Sequence, residues 1–162
     1  MYDSNDPVGK TVEMSARLFA IMADEVLRNC GPEKGQEIVK KAVRRYAKMR
    51  AEGIKNRILQ DGKKVTFETV EEYSDYPENC AWDADSEISE NKFREITRKC
   101  PFANGFRQVG LEEAGRLYCD TIDVAMNETF FGEINFLRPC IFADGKDAPC
   151  EMIVELKYEE EK

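Results

Sequence analysis

The sequence predicts an α+β fold: two long N-terminal helices packed on an antiparallel sheet of about four strands, with a helical insertion between two hairpins. Two changes of period carry this reading. Apolar residues recur at helical spacing from Thr11 to Ile54, then alternate with period two from Cys80. Between Pro101 and Asn127 the helical spacing returns before the last strands. A length of 162 residues suits a single α+β domain, 1–162, with a helical half at about 10–62 and a mixed half at about 80–158.

The first helix is expected from Thr11 to about Asn29, with Val12, Ala16, Phe19, Met22, Ala23 and Val26 on its apolar face. In "NCGP", Gly31 suits a C-cap and Pro32 the first turn of a second helix. That helix runs from about Glu33 to Gln60, buries Val39, Ala42, Val43, Tyr46, Met49 and Ile54, and turns the basic face of "KKAVRRYAKMR" to solvent. "DGKK" ends it, and the acidic span 68–79 reads as a connecting loop. Cys80, Trp82, Ala84, Ser86 and Ile88 describe the buried face of a strand. "SENK" turns the chain back into Phe93–Lys99. "PFANGFRQVG" fits a short helix opened by Pro101 and closed by Gly110, and "LEEAGRLYCDTIDVAMN" a longer one. "EINFLRPCIF", the turn "ADGKDA", and Cys150 to Tyr158 complete a second hairpin.

Lys and Arg number 24 against 32 Asp and Glu, a net charge of −8. This balance argues against partners that are nucleic acids or anionic membranes, both of which select basic surfaces. No apolar run approaches the ~20 residues of a membrane span. "MYDSNDPVGK" lacks a signal-peptide pattern, so a cytoplasmic location is expected. In that compartment the six cysteines are expected as free thiols, and no CxxC pair occurs. The long first helices offer a surface for a homo-oligomer. There is no histidine, so chemistry must run on Cys, Asp, Glu, Lys, Arg, Tyr and water.

Three constellations could carry it. Cys100 precedes Pro101 and Phe102, so it should be extended at a helix N-terminus, where free N–H groups and the dipole favour a thiolate or an anion. The reading that the spacing alone favours is a buried cysteine that ends a strand, for which the proline merely starts a helix. Arg116, Cys119, Asp120, Asp123 and Asn127 share one helical face through steps of three and four. A carboxylate there can take a proton or orient water, and an amide can donate to developing negative charge. An exposed Arg116–Asp120 pair on a polar face is the plainer alternative. Finally, Cys140 and Cys150 flank a turn and with Cys100 and Cys119 could form a sulfur site for zinc or a cluster, or a small buried cross-strand pair.

"RKCPFANGFRQVGLEEAGRLYCDTIDVAMN" followed by "FLRPCIFADGKDAPCEM" resembles the L-2-amino-thiazoline-4-carboxylic acid hydrolase family. The elements are Cys100-Pro101-Phe102, Gly115, Cys119-Asp120, Asp123, Asn127, Gly145 and Cys150, over about 98–152. A looser similarity is to ligand-binding domains of the vinyl-reductase-associated type. The resemblance implies a hydrolase that opens a small cyclic amidine or isothiourea carboxylate by attack of water or a thiolate at the amidinium carbon. It implies catalytic roles for Cys119, as nucleophile if catalysis is covalent, and for Asp120, Asp123 and Asn127; no cofactor is expected and no residue is assigned to a metal. Cys100, Phe102, Arg116 and Cys140 would bind the substrate, and Arg98, Arg116 or Arg138 would hold its carboxylate. The competing reading is a non-catalytic small-molecule or metal-binding domain built on the clustered cysteines, and a third is a helix-paired subunit without a site.

Overall fold

The structure, a computed structural model, describes residues 6–76, 81–142 and 148–157. Its first two helices are α1 (Pro7–Cys30) and α2 (Pro32–Gln60). The Asp6 carboxylate caps α1 by accepting from the backbone N–H groups of Val8 and Gly9, both at 3.2 Å. Gly31, at φ 79°, is the single residue between the helices, a left-handed conformation that favours glycine. The chain doubles back tightly enough that a Cβ on Gly35 would stand 2.8 Å from the Leu27 Cα.

Small residues set the depth of this packing. α1 buries Gly9, Val12, Ala16, Ala20 and Ala23, and α2 buries Gly35, Val39, Val43, Ala47, Ala51, Ile54 and Ile58. Burial of Ile58, which is 0 % exposed, contributes about 2 kcal/mol of transfer energy. Both long helices occur as expected, but their inner stripes are shifted. Met22, Tyr46 and Met49 are exposed, because the close helix contacts admit Ala47 and Ala51 where larger side chains would clash.

The span 68–79, expected as a loop, instead begins with a short helix, α3 (Phe67–Glu72). Thr66 and Thr69 form a reciprocal capping box, and Phe67 is buried against Phe93 and Phe131, with ring centroids 5.8 and 4.7 Å away. Tertiary burial and a cap hold six residues too few for a periodic signal.

Four antiparallel strands follow in the order β1-β2-β4-β3: β1 (Asp83–Ile88), β2 (Lys92–Lys99), β3 (Ile134–Cys140) and β4 (Cys150–Leu156). Between β2 and β3 lie α4 (Pro101–Gln108) and α5 (Glu112–Phe131), the expected helical insertion. β1 is an edge strand whose Ala84 and Ser86 stay exposed, so its predicted buried face is incomplete. Cys80, Tyr158 and most of the "ADGKDA" turn lie outside the described residues.

α4 packs on α1 and α5 on α2, while the sheet meets the helices through Phe67, Phe93 and Val154. The α4–α1 contact is backbone-close: a Cβ on Gly105 would stand 2.7 Å from both the Ala16 Cβ and the Glu13 carbonyl oxygen. Gly53, in α2, has nothing within 4 Å. Gly105→Ala is therefore expected to destabilise by about 1–3 kcal/mol through overpacking. Gly53→Ala should stabilise by about 0.5–1 kcal/mol by restricting the unfolded chain. Thermal unfolding of the two variants should show melting temperatures displaced in opposite directions.

Candidate functional site

A cavity of about 400 Å³ lies between α5 and the sheet, bordered by residues of α3 and α4. α5 turns Cys119, Ile122, Asp123, Met126, Asn127 and Phe130 toward it. β2 supplies Phe93, Glu95 and Thr97 at alternate positions, β3 supplies Arg138, and β4 supplies Cys150 and Met152. The register sets Glu95 opposite Met152 and Thr97 opposite Cys150, so these side chains stand on one face of the sheet.

The polar centre is an ion pair between helix and sheet. Arg138 Nη2 donates to the Asp123 carboxylate, and Nη1 donates to Cys150 Sγ at 3.3 Å. The Arg138 side chain is only 13 % exposed, its Nε is buried without a hydrogen-bond partner, and the guanidinium lies 5.6 Å from the Phe136 ring centroid. Burial by itself would lower the pKa of Arg138; Asp123, Cys150 and Cys119 outweigh it and hold the guanidinium charged.

Glu95 is the carboxylate that sequence reasoning passed over. Burial pushes its carboxyl above the ordinary range, Asp123 and Glu71 add to the rise, and a hydrogen bond from Thr97 (2.9 Å) together with Arg138 opposes it. Its signal in the sequence is register: Phe93, Glu95 and Thr97 share a strand face whose two flanking members are buried.

The three cavity thiols are held protonated. Cys100 is the N-cap of α4 in an extended conformation, as its place before Pro101 predicts. Backbone N–H groups of Phe102 and Ala103 and the Trp82 side chain do favour its thiolate, but burial is larger and pushes the thiol up to about 11. Of the two readings of Cys100, the buried cysteine that ends a strand is the one that the geometry matches. Burial raises Cys119 well above its usual value, with Cys100 and Asp123 adding to the effect and Arg138 opposing. Cys150 is raised by burial against the pull of Arg138.

Of the sequence-derived candidates, Cys100, Phe102, Arg116, Cys119, Asp123 and Asn127 line the cavity, while Asp120 and Cys140 do not. Asp120 is exposed and pairs with Arg116 at 3.3 Å, since one helical step turns it about 100° from Cys119. Asn127 donates one of its two amide N–H groups to the Asp123 carbonyl one turn back, at 2.9 Å. Arg98 lies outside the cavity lining and pairs with Asp83 and Asp85. A register shift in β3 sets Cys140 opposite Glu151 rather than Cys150. Cys140 therefore does not join the other three thiols at the cavity, and among the described residues no group of three or more Cys, Asp or Glu is disposed to hold a metal ion.

The profile of a family described as L-2-amino-thiazoline-4-carboxylic acid hydrolase matches residues 11–154. Among solved structures, the chain is similar to trafficking protein particle complex subunit 3 from Naegleria fowleri, crystallised covalently bound to palmitic acid. The two share 13% identity at a TM-score of 0.50, over 92% of this chain and 99% of that one, a likeness of fold. No curated protein matches the chain.

Native alkylation should follow this geometry. Among the described cysteines, exposed Cys30 is expected to react first with iodoacetamide at neutral pH, and Cys100 and Cys119 last, as followed by peptide mass mapping. Labelling of Cys100 should climb about tenfold per pH unit while pH stays below its pKa. Removing one partner of the ion pair should also register: Arg138→Met is expected to lose about 2 kcal/mol in denaturant unfolding, and the double variant with Asp123→Asn to regain part of it.

Proposed function

The chain belongs to the L-2-amino-thiazoline-4-carboxylic acid hydrolase family, and from that premise we propose that it opens a small cyclic amidine or isothiourea carboxylate inside the cavity between α5 and the sheet. The observation that supports this reading most is Glu95, a half-buried carboxyl with a raised pKa beside the Asp123–Arg138 pair in a chain without histidine. A general base with a pKa nearer the working pH is what water attack requires. Asp123 would grip the N–H groups of the amidinium, and Arg138 would face the substrate carboxylate.

In this scheme water adds to the amidinium carbon as Glu95 takes one of its protons. The bond from that carbon to the ring sulfur then breaks, and Glu95 returns the proton to the departing sulfur. The remaining hydroxyl proton is released as the urea carbonyl forms, leaving an N-carbamoyl-cysteine product for the thiazoline carboxylate. Direct attack by water is favoured over attack by Cys119, whose thiol is kept protonated.

A second reading, a binding module, is favoured by the apolar majority of the lining. Rings and aliphatic side chains around three protonated thiols suit an acyl chain, of the kind that the subunit of similar fold holds as covalently bound palmitic acid. Turnover of 2-aminothiazoline-4-carboxylate, followed by release of a free thiol, separates the two: no turnover, with palmitate retained by the protein in mass spectrometry, would reject the hydrolase.

Glu95→Gln is expected to lower kcat by about 10²–10⁴-fold with little change in KM. The acid limb of kcat/KM should have its midpoint above the ~4.3 of a free glutamate, because the base must be ionised. The stability effect has the opposite sense. A carboxyl whose pKa is raised by folding contributes stability below its unfolded pKa and loses it as pH rises through the folded value. The Gln variant should therefore be at least as stable as the parent at pH 7. Cys119→Ser should keep most of the activity, whereas a thousandfold loss would restore the thiol as nucleophile.

A further inference from the structure

The cavity is larger than its proposed reaction centre requires. A 2-aminothiazoline-4-carboxylate has about nine non-hydrogen atoms and fills on the order of 150 Å³, less than half of a typical small-molecule pocket. The space here is about 400 Å³. One part of the lining, here called the arm, is a run of aromatic rings in contact with one another. Tyr76 stands 4.8 Å from Trp82, Trp82 6.4 Å from Phe102, and Phe102 is stacked on Tyr118 at 4.8 Å. All four rings face the cavity.

The arm also holds a second charge pair. Arg50 is 9 % exposed, lies 4.6 Å over the Tyr76 ring, and grips Asp75 through Nε (2.8 Å) and Nη2 (2.5 Å). Rings lining an unfilled space forgo dispersion contacts on one side, and a ligand ring would supply them. Tilted and stacked aromatic neighbours match the edges and faces of another ring better than they match a flexible chain. A hydrocarbon reaching Arg50 and Asp75 would meet polar groups with nothing to offer them, whereas a ring bearing a hydroxyl or other polar tip would not.

Resting on the hydrolase reading of the same cavity, we propose that the natural substrates are cyclic amidine or isothiourea carboxylates carrying an aromatic substituent, which occupies the arm formed by Tyr76, Trp82, Phe102 and Tyr118. The heterocycle sits at Glu95, Asp123 and Arg138, and the substituent points toward Arg50. Substrate choice is then set mainly by the arm, since every cyclic amidine acid presents the same polar head.

Trp82 is the only tryptophan of the chain, so its emission reports occupation of the arm directly. The experiment compares 2-aminothiazoline-4-carboxylate with its 5-phenyl derivative, by Trp82 fluorescence titration and by kcat/KM. The expected result is a change in Trp82 emission with the phenyl compound only, and about 10–100-fold tighter binding of it, as burial of one ring implies. Tyr76→Leu should narrow the kcat/KM ratio between the two compounds several-fold. Equal or better turnover of the bare ring would overturn the proposal and leave the hydrolase reading standing. Turnover of neither compound would remove the hydrolase reading itself. Palmitate binding more tightly than the phenyl compound would overturn the proposal in favour of an acyl occupant.

Discussion

The Arg138–Asp123 pair joins α5 to the sheet, and the polar part of the cavity is organised around it. Each partner comes from a different layer, so the pair sets the distance between helix and strands as well as the charge between them. An arginine at 13 % exposure needs a carboxylate, because an unpaired buried cation costs several kcal/mol. Once Asp123 is committed to it, the neighbouring groups respond. Burial raises both Glu95 and Cys119, the Asp123 charge adds to each rise, and Cys150 accepts the arginine's other arm.

The thiols show how competing effects are decided by magnitude. Cys100 occupies the position at which a helix N-terminus stabilises a thiolate, and two backbone N–H groups and Trp82 act on it in that sense. Desolvation acts in the opposite sense and is larger. A helix terminus is worth about 0.3–1 kcal/mol at an exposed site, whereas full burial can move a pKa by several units. Position along the chain reveals the first effect, and only the packed structure reveals the second.

The same division explains what was legible in the sequence. The two long helices, the hairpins, the Pro101 helix start and the family-like run from Cys100 to Cys150 are local patterns, written in period and punctuation. α3 was not legible, because six residues carry no period and Phe67 is held by partners distant in the chain. On α5, Cys119, Asp123 and Asn127 face the cavity as their spacing implies, but the same wheel includes Asp120, which lies one step outside the contact. Glu95 was hidden for the converse reason. A lone acid on a strand reads as solvent-facing until the sheet is seen to lie under α5.

The helical half makes this arrangement possible without joining the chemistry. Ala16 and Gly105 let α4 approach α1 at backbone distance, and Gly115 admits the Phe106 ring where any Cβ would clash. With α4 and α5 drawn against α1 and α2 on one face, the opposite face of α5 is relieved of closing the core and is free to carry Cys119, Asp123 and Asn127. The sheet then covers that face incompletely and leaves a space. Filling the space with aliphatic side chains and replacing Glu95 and the ion pair by apolar residues would increase stability by the ordinary rules of packing. Retaining an open, ring-lined cavity around buried charges runs against those rules, and under the proposed function a bound substrate would restore the missing contacts.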